Sequence, residues 1–272
     1  MLNKLVLRVF YAAVLLCALA APLWAQSQAV VNKRTVLGQA QTAYYNLRSE
    51  GLSGFECSIT PDWNALLADA RRQNPDAAAT AINLLNQLHF EVRFGPDGSA
   101  KITHNELTGQ SEEMNKALQR IYGGMEQMTS GFFDIWKTFM LSSPFPETDS
   151  EYRLEASGSQ YILSYVEAPS TNVVITMGHD AAISKMRVTT KDFDSSIQPR
   201  NTRSPRGFLL AGYDATYESG KPEESTVLKV AISYQEVQGL QLPRTLDLAG
   251  SYGGSPFSIA VTFSDCSVTR KN

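Results

Sequence analysis

The densest chemistry on this chain is apolar. Between Met114 and Met140 stand four of the seven methionines (Met114, Met125, Met128 and Met140), together with Phe132, Phe133, Trp136 and Phe139. Met114, Leu118, Ile121, Met125, Met128, Phe132, Trp136 and Phe139 follow one another at steps of three and four, the spacing of one helical stripe. Flexible thioethers beside aromatic faces adapt to irregular apolar partners such as acyl chains. These eight residues are therefore the candidate ligand-binding set. The competing reading is a helix packed on a sheet as plain core, and against a hollow sheet one stripe can serve both purposes.

Polar constellations are sparse. His89 and His104 have equal offsets from the turn Gly95-Pro96-Asp97-Gly98 and would face each other across a hairpin, with Glu91 on the same strand face. No third ligand has suitable spacing, so no metal and no other cofactor is expected. Arg200, Arg203 and Arg206 recur every third residue in a polar stretch, where they could meet phosphate headgroups or simply line a solvated loop. The chain contains no Gly-x-Ser-x-Gly, no Ser-x-x-Lys and no His-Glu-x-x-His, and three histidines leave few candidate bases. The expectation is a protein that is not an enzyme. A hydrolase whose carboxylates or His–carboxylate pair converge only in space stands as the alternative.

The first 25 residues bear on where this chemistry takes place. Lys4 and Arg8 precede an apolar run, Val9–Ala21, and Pro22-Leu23-Trp24-Ala25 leads into the polar Gln26-Ser27-Gln28. That order of charged, apolar and small-residue segments reads as a signal peptide cut after Ala25. The run is shorter than the ~20 residues a spanning helix needs, and Leu16 before Cys17 disfavours a lipoprotein signal. Removing 25 of the 272 residues leaves 247, read as a single domain over 26–272. Lys4 and Arg8 would leave with the signal, moving the net charge from −3 to −5, which argues against nucleic acid as a partner. No later apolar run is long enough to cross a membrane. Cys17 would also leave, so Cys57 and Cys266 remain, one near each end of the chain. In an oxidising compartment such a pair is expected as a disulfide, with two buried free thiols as the alternative.

The elements that must carry these residues follow from periodicity. Helical spacing covers 34–50, 63–73, 77–89 and 111–141, with Asp76 placed to cap the third segment and Gly123-Gly124 and Ser130-Gly131 placed to kink the last. Residues 90–104 read as a hairpin. From Glu151 onward the period changes to two, giving seven or more strands at hairpin spacing, with Ser195–Arg206 as a polar loop among them. Pro243 should fall at an edge or a bulge, and the slip in alternation after Phe263 should mark a bulge near Ser264-Asp265. The layout is α+β: a strongly curved antiparallel sheet, a half-open barrel, covered by N-terminal and inserted helices.

This order of elements resembles the periplasmic lipoprotein-carrier (LolA/LolB-like) superfamily. The residues behind the resemblance are the meander through Val173–Asp180 and Ile183–Met186, the segment Ile232–Pro243 with its Gly239…Leu242-Pro243 turn into a strand, and the final strand Phe257–Val268. The resemblance implies a half-open barrel with helices over its mouth, and a role carrying acyl chains of lipids or lipoproteins across the periplasm, with envelope proteins as further partners. The chain departs from the carriers in its long helical insert 63–141 and in the paired terminal cysteines. No individual binding residue is carried over. A structural or interaction protein of the cell envelope, its barrel filled by its own side chains, is the alternative from a different class.

Overall fold

The computed structural model describes residues 32–168, 170–221 and 224–271. The signal segment read over residues 1–25 lies outside them. Five helices are described: α1 (Lys33–Thr42), α2 (Trp63–Leu66), α3 (Ala68–Gln73), α4 (Pro75–Leu85) and α5 (Glu112–Met140). The strands are β1 (Leu52–Pro61), β2 (Phe90–Phe94), β3 (Ala100–His104), β4 (Tyr152–Ser157), β5 (Gln160–Ala168), β6 (Thr171–Gly178), β7 (Ile183–Thr189), β8 (Asp194–Ser204), β9 (Gly207–Glu218), β10 (Thr226–Val237), β11 (Leu240–Tyr252) and β12 (Ser255–Arg270). All twelve lie in one open sheet in the order β3-β2-β1-β12-β11-β10-β9-β8-β7-β6-β5-β4, and every strand pairing is antiparallel. This is an α+β architecture in which β4 through β12 form an uninterrupted meander.

Local chemistry sets the helix ends. The Ser111 hydroxyl accepts from Met114 N at 3.2 Å and caps α5, and Asp62 caps α2 by accepting from Ala65 N at 3.0 Å. Asn74, rather than Asp76, caps α4: its side chain accepts from Ala77 N at 3.1 Å, and Pro75 takes the first helical position, where a missing N–H costs nothing. The segment expected as one helix over 63–73 is broken at Leu67 into α2 and α3. The helix expected over 34–50 stops at Thr42. Beyond it Phe208 N donates to Ala43 O at 2.8 Å and Tyr45 N donates to Phe208 O at 3.0 Å, so this backbone is taken up by the end of β9. Helix α5 runs unbroken for 29 residues through both glycine sites expected to kink it.

The sheet corrects one further expectation. The segment expected as a loop over Ser195–Arg206 is strand through Ser204, with only Pro205 and Arg206 in a turn: β8 pairs with both β7 and β9. Its buried positions are Ser195, Ile197 and Pro199, an alternation disguised by a serine and a proline on the inward face. Pro243 sits at a register shift, opposite Tyr234 and beside the unpaired Arg244. The β1–β12 pairing shifts between Glu56/Ser267 and Ser58/Ser264, placing a bulge at Asp265, whose φ is 51°. Cys57 and Cys266 meet there as a disulfide, with Cα atoms 4.2 Å apart.

The core lies where α5 crosses β1 and β2. Phe55 stacks on Phe94 at 5.0 Å, and Phe133 and Trp136 meet both rings at 5.5 to 5.9 Å. The far end of α5 is tied down: Leu47 N donates to Met140 O at 2.9 Å, and Leu210 N to Met140 Sδ at 3.4 Å.

Candidate ligand cavity

Beside that core, the other flank of α5 borders a cavity of about 1480 Å³. Helix α5 contributes Ile121, Met125, Met128, Phe132, Ile135 and Phe139, and the facing wall carries Val173, Met186, Ile197, Tyr213, Leu228 and Leu248 from β6 through β11. The segment after the helix, with Pro144, Phe145 and Pro146, forms a further side. Exposed Glu147, Val166 and Glu167 also line the space, so it reaches the surface.

Five of the eight stripe residues border this cavity: Ile121, Met125, Met128, Phe132 and Phe139. Leu118 and Trp136 are buried but do not border it. They stand eighteen positions apart, five full turns, and Trp136 packs its ring against Phe55 and Phe94 on the core side. Met114, in the first turn of α5, is 38% exposed and lies outside the cavity. A stripe read at steps of three and four spans a broad arc of helix, and here that arc is divided between core and cavity.

Sequence reasoning missed what makes the room. Gly124 and Gly131, seven residues apart on α5, both border the cavity, and a Cβ built on either meets nothing within 4 Å. Their type suggests kink sites, whereas in the structure they are exposed positions without side chains along the flank that borders the cavity. Their spacing of seven, in register with Met125 and Phe132, was the available signal. The alternation of β9 already puts Tyr213 and Tyr217 on the inward face, and Tyr165 joins them. Tyr165, Tyr213 and Tyr217 border the cavity, and burial raises the pKa of all three hydroxyls. Tyr217 is pushed up to about 12, first by burial and then by the nearby Asp134 carboxylate. Glu167 adds to the effect of burial on Tyr165. These phenols are neutral at physiological pH, so they are hydrogen-bond donors in a mostly apolar wall rather than bases or nucleophiles.

The other candidates disperse. The β2–β3 register sets Phe90 opposite His104, while His89 N donates to Asn105 Oδ1 at 2.7 Å. The two histidines are thus offset by one residue rather than facing. The physical cause is Asp97, whose carboxylate accepts from Ser99 N and Oγ and adds a residue to the turn closed by Gly95 N and Ser99 O. His104 instead stacks on Tyr122, with ring centroids 3.8 Å apart. Among the described residues no group of three His, Cys, Asp or Glu could hold a metal. The three arginines are each engaged within the fold: Arg200 with Asp214 and Val230 O, Arg203 with Asp180 at 2.7 Å, and Arg206 with Glu50 at 3.1 Å.

No family model, curated protein or solved structure matches this chain. Among the described residues no helix is long and apolar enough to cross a membrane.

Proposed function

We propose that this protein is a non-enzymatic carrier, exported to the periplasm or beyond, that holds the acyl chain of a lipid or lipoprotein between α5 and the sheet. The observation that carries the reading is the cavity itself. At about 1480 Å³ it exceeds the roughly 300–1,000 Å³ of ordinary small-molecule pockets. Methionines, aliphatic groups and neutral phenols dominate its walls, a lining suited to a flexible chain rather than to a rigid polar substrate. The Cys57–Cys266 disulfide and the signal-like first 25 residues are compatible with an oxidising compartment.

The same lining supports a half-open barrel. Strands β5 and β12 stand seven places apart in the sheet, about 34 Å if it were flat at ~4.8 Å per strand. Yet Tyr165 and Val166 of β5 border the same cavity as Phe257 and Ile259 of β12. A sheet that brings those strands around one space is rolled, and α5 lies in its hollow.

Gly124→Phe and Gly131→Phe test the reading. Each adds a ring at an exposed position bordering the cavity, where an added Cβ meets nothing within 4 Å, so the fold should hold while that side of the cavity narrows. Uptake of a fluorescent fatty acid should be saturable in the wild type and lost in the double variant, with unchanged far-UV circular dichroism. Mass spectrometry of the protein purified under native conditions should find a co-extracted lipid. Absence of both uptake and lipid in the wild type would favour the envelope-structural alternative.

A further inference from the structure

In an antiparallel meander alternate turns share one end of the sheet. The β5–β6, β7–β8, β9–β10 and β11–β12 turns lie at one end, and β1 runs toward it, stopping opposite Val261, six residues into β12. The N-terminal turns of α5 lie at that end too, because Tyr122 stacks on His104, the last residue of β3. Five of the eight exposed large apolar side chains among the described residues sit on those turns or the adjoining strand ends, namely Val166, Phe193, Val227, Tyr252 and Phe257, and Leu66 and Met114 lie on helices toward the same side. The exception is Val174, midway along β6. Leu66, Val166, Phe193, Tyr252 and Phe257 also border the cavity, so the apolar end of the molecule is one rim of the cavity.

We propose that this rim docks on the surface of an uncharged or zwitterionic lipid bilayer, which would let an acyl chain pass between bilayer and cavity without leaving apolar surroundings. The inference rests on the carrier reading for its purpose but not for its geometry. Three observations select a bilayer. The apolar groups are spread over four hairpin ends and two helices around an opening, with Tyr252 and Phe257 sharing one hairpin, an arrangement a fluid interface accepts and a rigid partner would have to match tip by tip. Two of the turns present aromatic side chains, Phe193 and Tyr252, of the kind that favour the water–bilayer boundary. The charged residues on the described turns and on the chain following β1 and β3 into α5 are net acidic: Lys116, Arg187, Lys191 and Lys221 against Asp62, Glu106, Glu112, Glu113, Glu167, Asp192, Asp194, Glu218 and Glu224. Attraction to anionic headgroups is therefore not the driving term, and association should be insensitive to salt.

The test uses the mature chain and two variants. Val227 and Met114 belong to the apolar end but not to the cavity wall, so Val227→Asp with Met114→Asp should leave fatty-acid uptake intact. Phe193→Ser with Tyr252→Ser removes the aromatic tips. Wild-type protein should float with phosphatidylcholine vesicles, at a level unchanged by raised salt and no higher on phosphatidylglycerol. Each pair of substitutions should reduce the vesicle-bound fraction by roughly tenfold or more, the equivalent of withdrawing one or two apolar side chains from the bilayer. Wild type that does not float, variants that float as well as wild type, or binding confined to phosphatidylglycerol at low salt would each overturn the inference. The first outcome would assign the rim to a protein partner. Vesicle binding that depends on these residues in a protein that takes up no fatty acid would leave the docking standing and remove the carrier reading instead.

Discussion

At the scale of single residues, this site is shaped as much by missing side chains as by present ones. Gly124 and Gly131 lie inside a regular helix, where glycine costs about 1 kcal/mol relative to alanine. Nothing in the surrounding packing demands them, since an added Cβ meets open space at both. Gly124→Ala and Gly131→Ala should therefore each raise stability by about 1 kcal/mol, measured by urea unfolding. A loss of stability at either would show that the flank is closed. The buried tyrosines give a second expectation. Tyr217 has a folded pKa of about 12 against an ordinary 10.0, and burial raises Tyr44, Tyr165, Tyr213 and Tyr234 as well. Above pH 10 the unfolded chain loses protons that the folded chain keeps. The stabilisation is thus complete below pH 10 and is lost as pH rises from there through 12. Part of the phenolate absorbance should therefore appear only together with unfolding in an alkaline titration, whereas complete ionisation in a folded protein would contradict the burial.

At the scale of elements, two joints hold the frame around the cavity. The Cys57–Cys266 disulfide ties β1 to β12 across a sequence separation of 209 residues. Chain-entropy arguments put the stabilisation from closing such a loop at up to about 5 kcal/mol. Cys57→Ser with Cys266→Ser should lower the thermal midpoint by several degrees or more, and the intact protein should show no free thiol when unfolded without reductant. The second joint is the start of α5, where Ser111→Ala removes the cap and should cost about 1 kcal/mol. These joints differed in legibility. Two cysteines in strands at opposite chain ends already suggested a pair, and the slip in alternation after Phe263 already suggested the bulge that accommodates it. The cap at Asn74 was obscured by Asp76 two residues later, because both side chains suit the role and only the backbone decides between them. Strand β8 was hidden because Ser195 and Pro199 hold inward positions that alternation reserves for apolar groups.

At the scale of the whole molecule, one end of the sheet collects most of the exposed large apolar groups and opens on the cavity, while the Met140 end of α5 is bonded to the chain around Leu47 and Leu210. Under the proposed function the apolar end is where ligand enters and leaves. Export to the periplasm or beyond is an expectation at this scale too. N-terminal sequencing of the protein from the cell envelope should begin at Gln26, and a chain that began at Met1 would remove the argument for the compartment.

Most element types and their order were legible in the sequence, β8 and the end of α1 excepted, because the periods of 3.6 and 2 are written locally by side chains that must face a core. The sequence also marked α5 as the most apolar helix and the two cysteines as partners. Which side of α5 meets β1 and β2 and which side borders the cavity is settled by the packing around the helix and not by its spacing. Leu118 and Trp136 look like Met125 and Phe132 in any periodic reading, and what separates them is the position of other chain segments around the helix. The offset of His89 from His104 turned on one carboxylate adding one residue to a turn, which removed a facing pair that symmetry about the turn had suggested. A cavity is likewise a property of what several distant segments leave unfilled. Gly124 and Gly131 gain their meaning only once β5 through β12 are seen to border the same space.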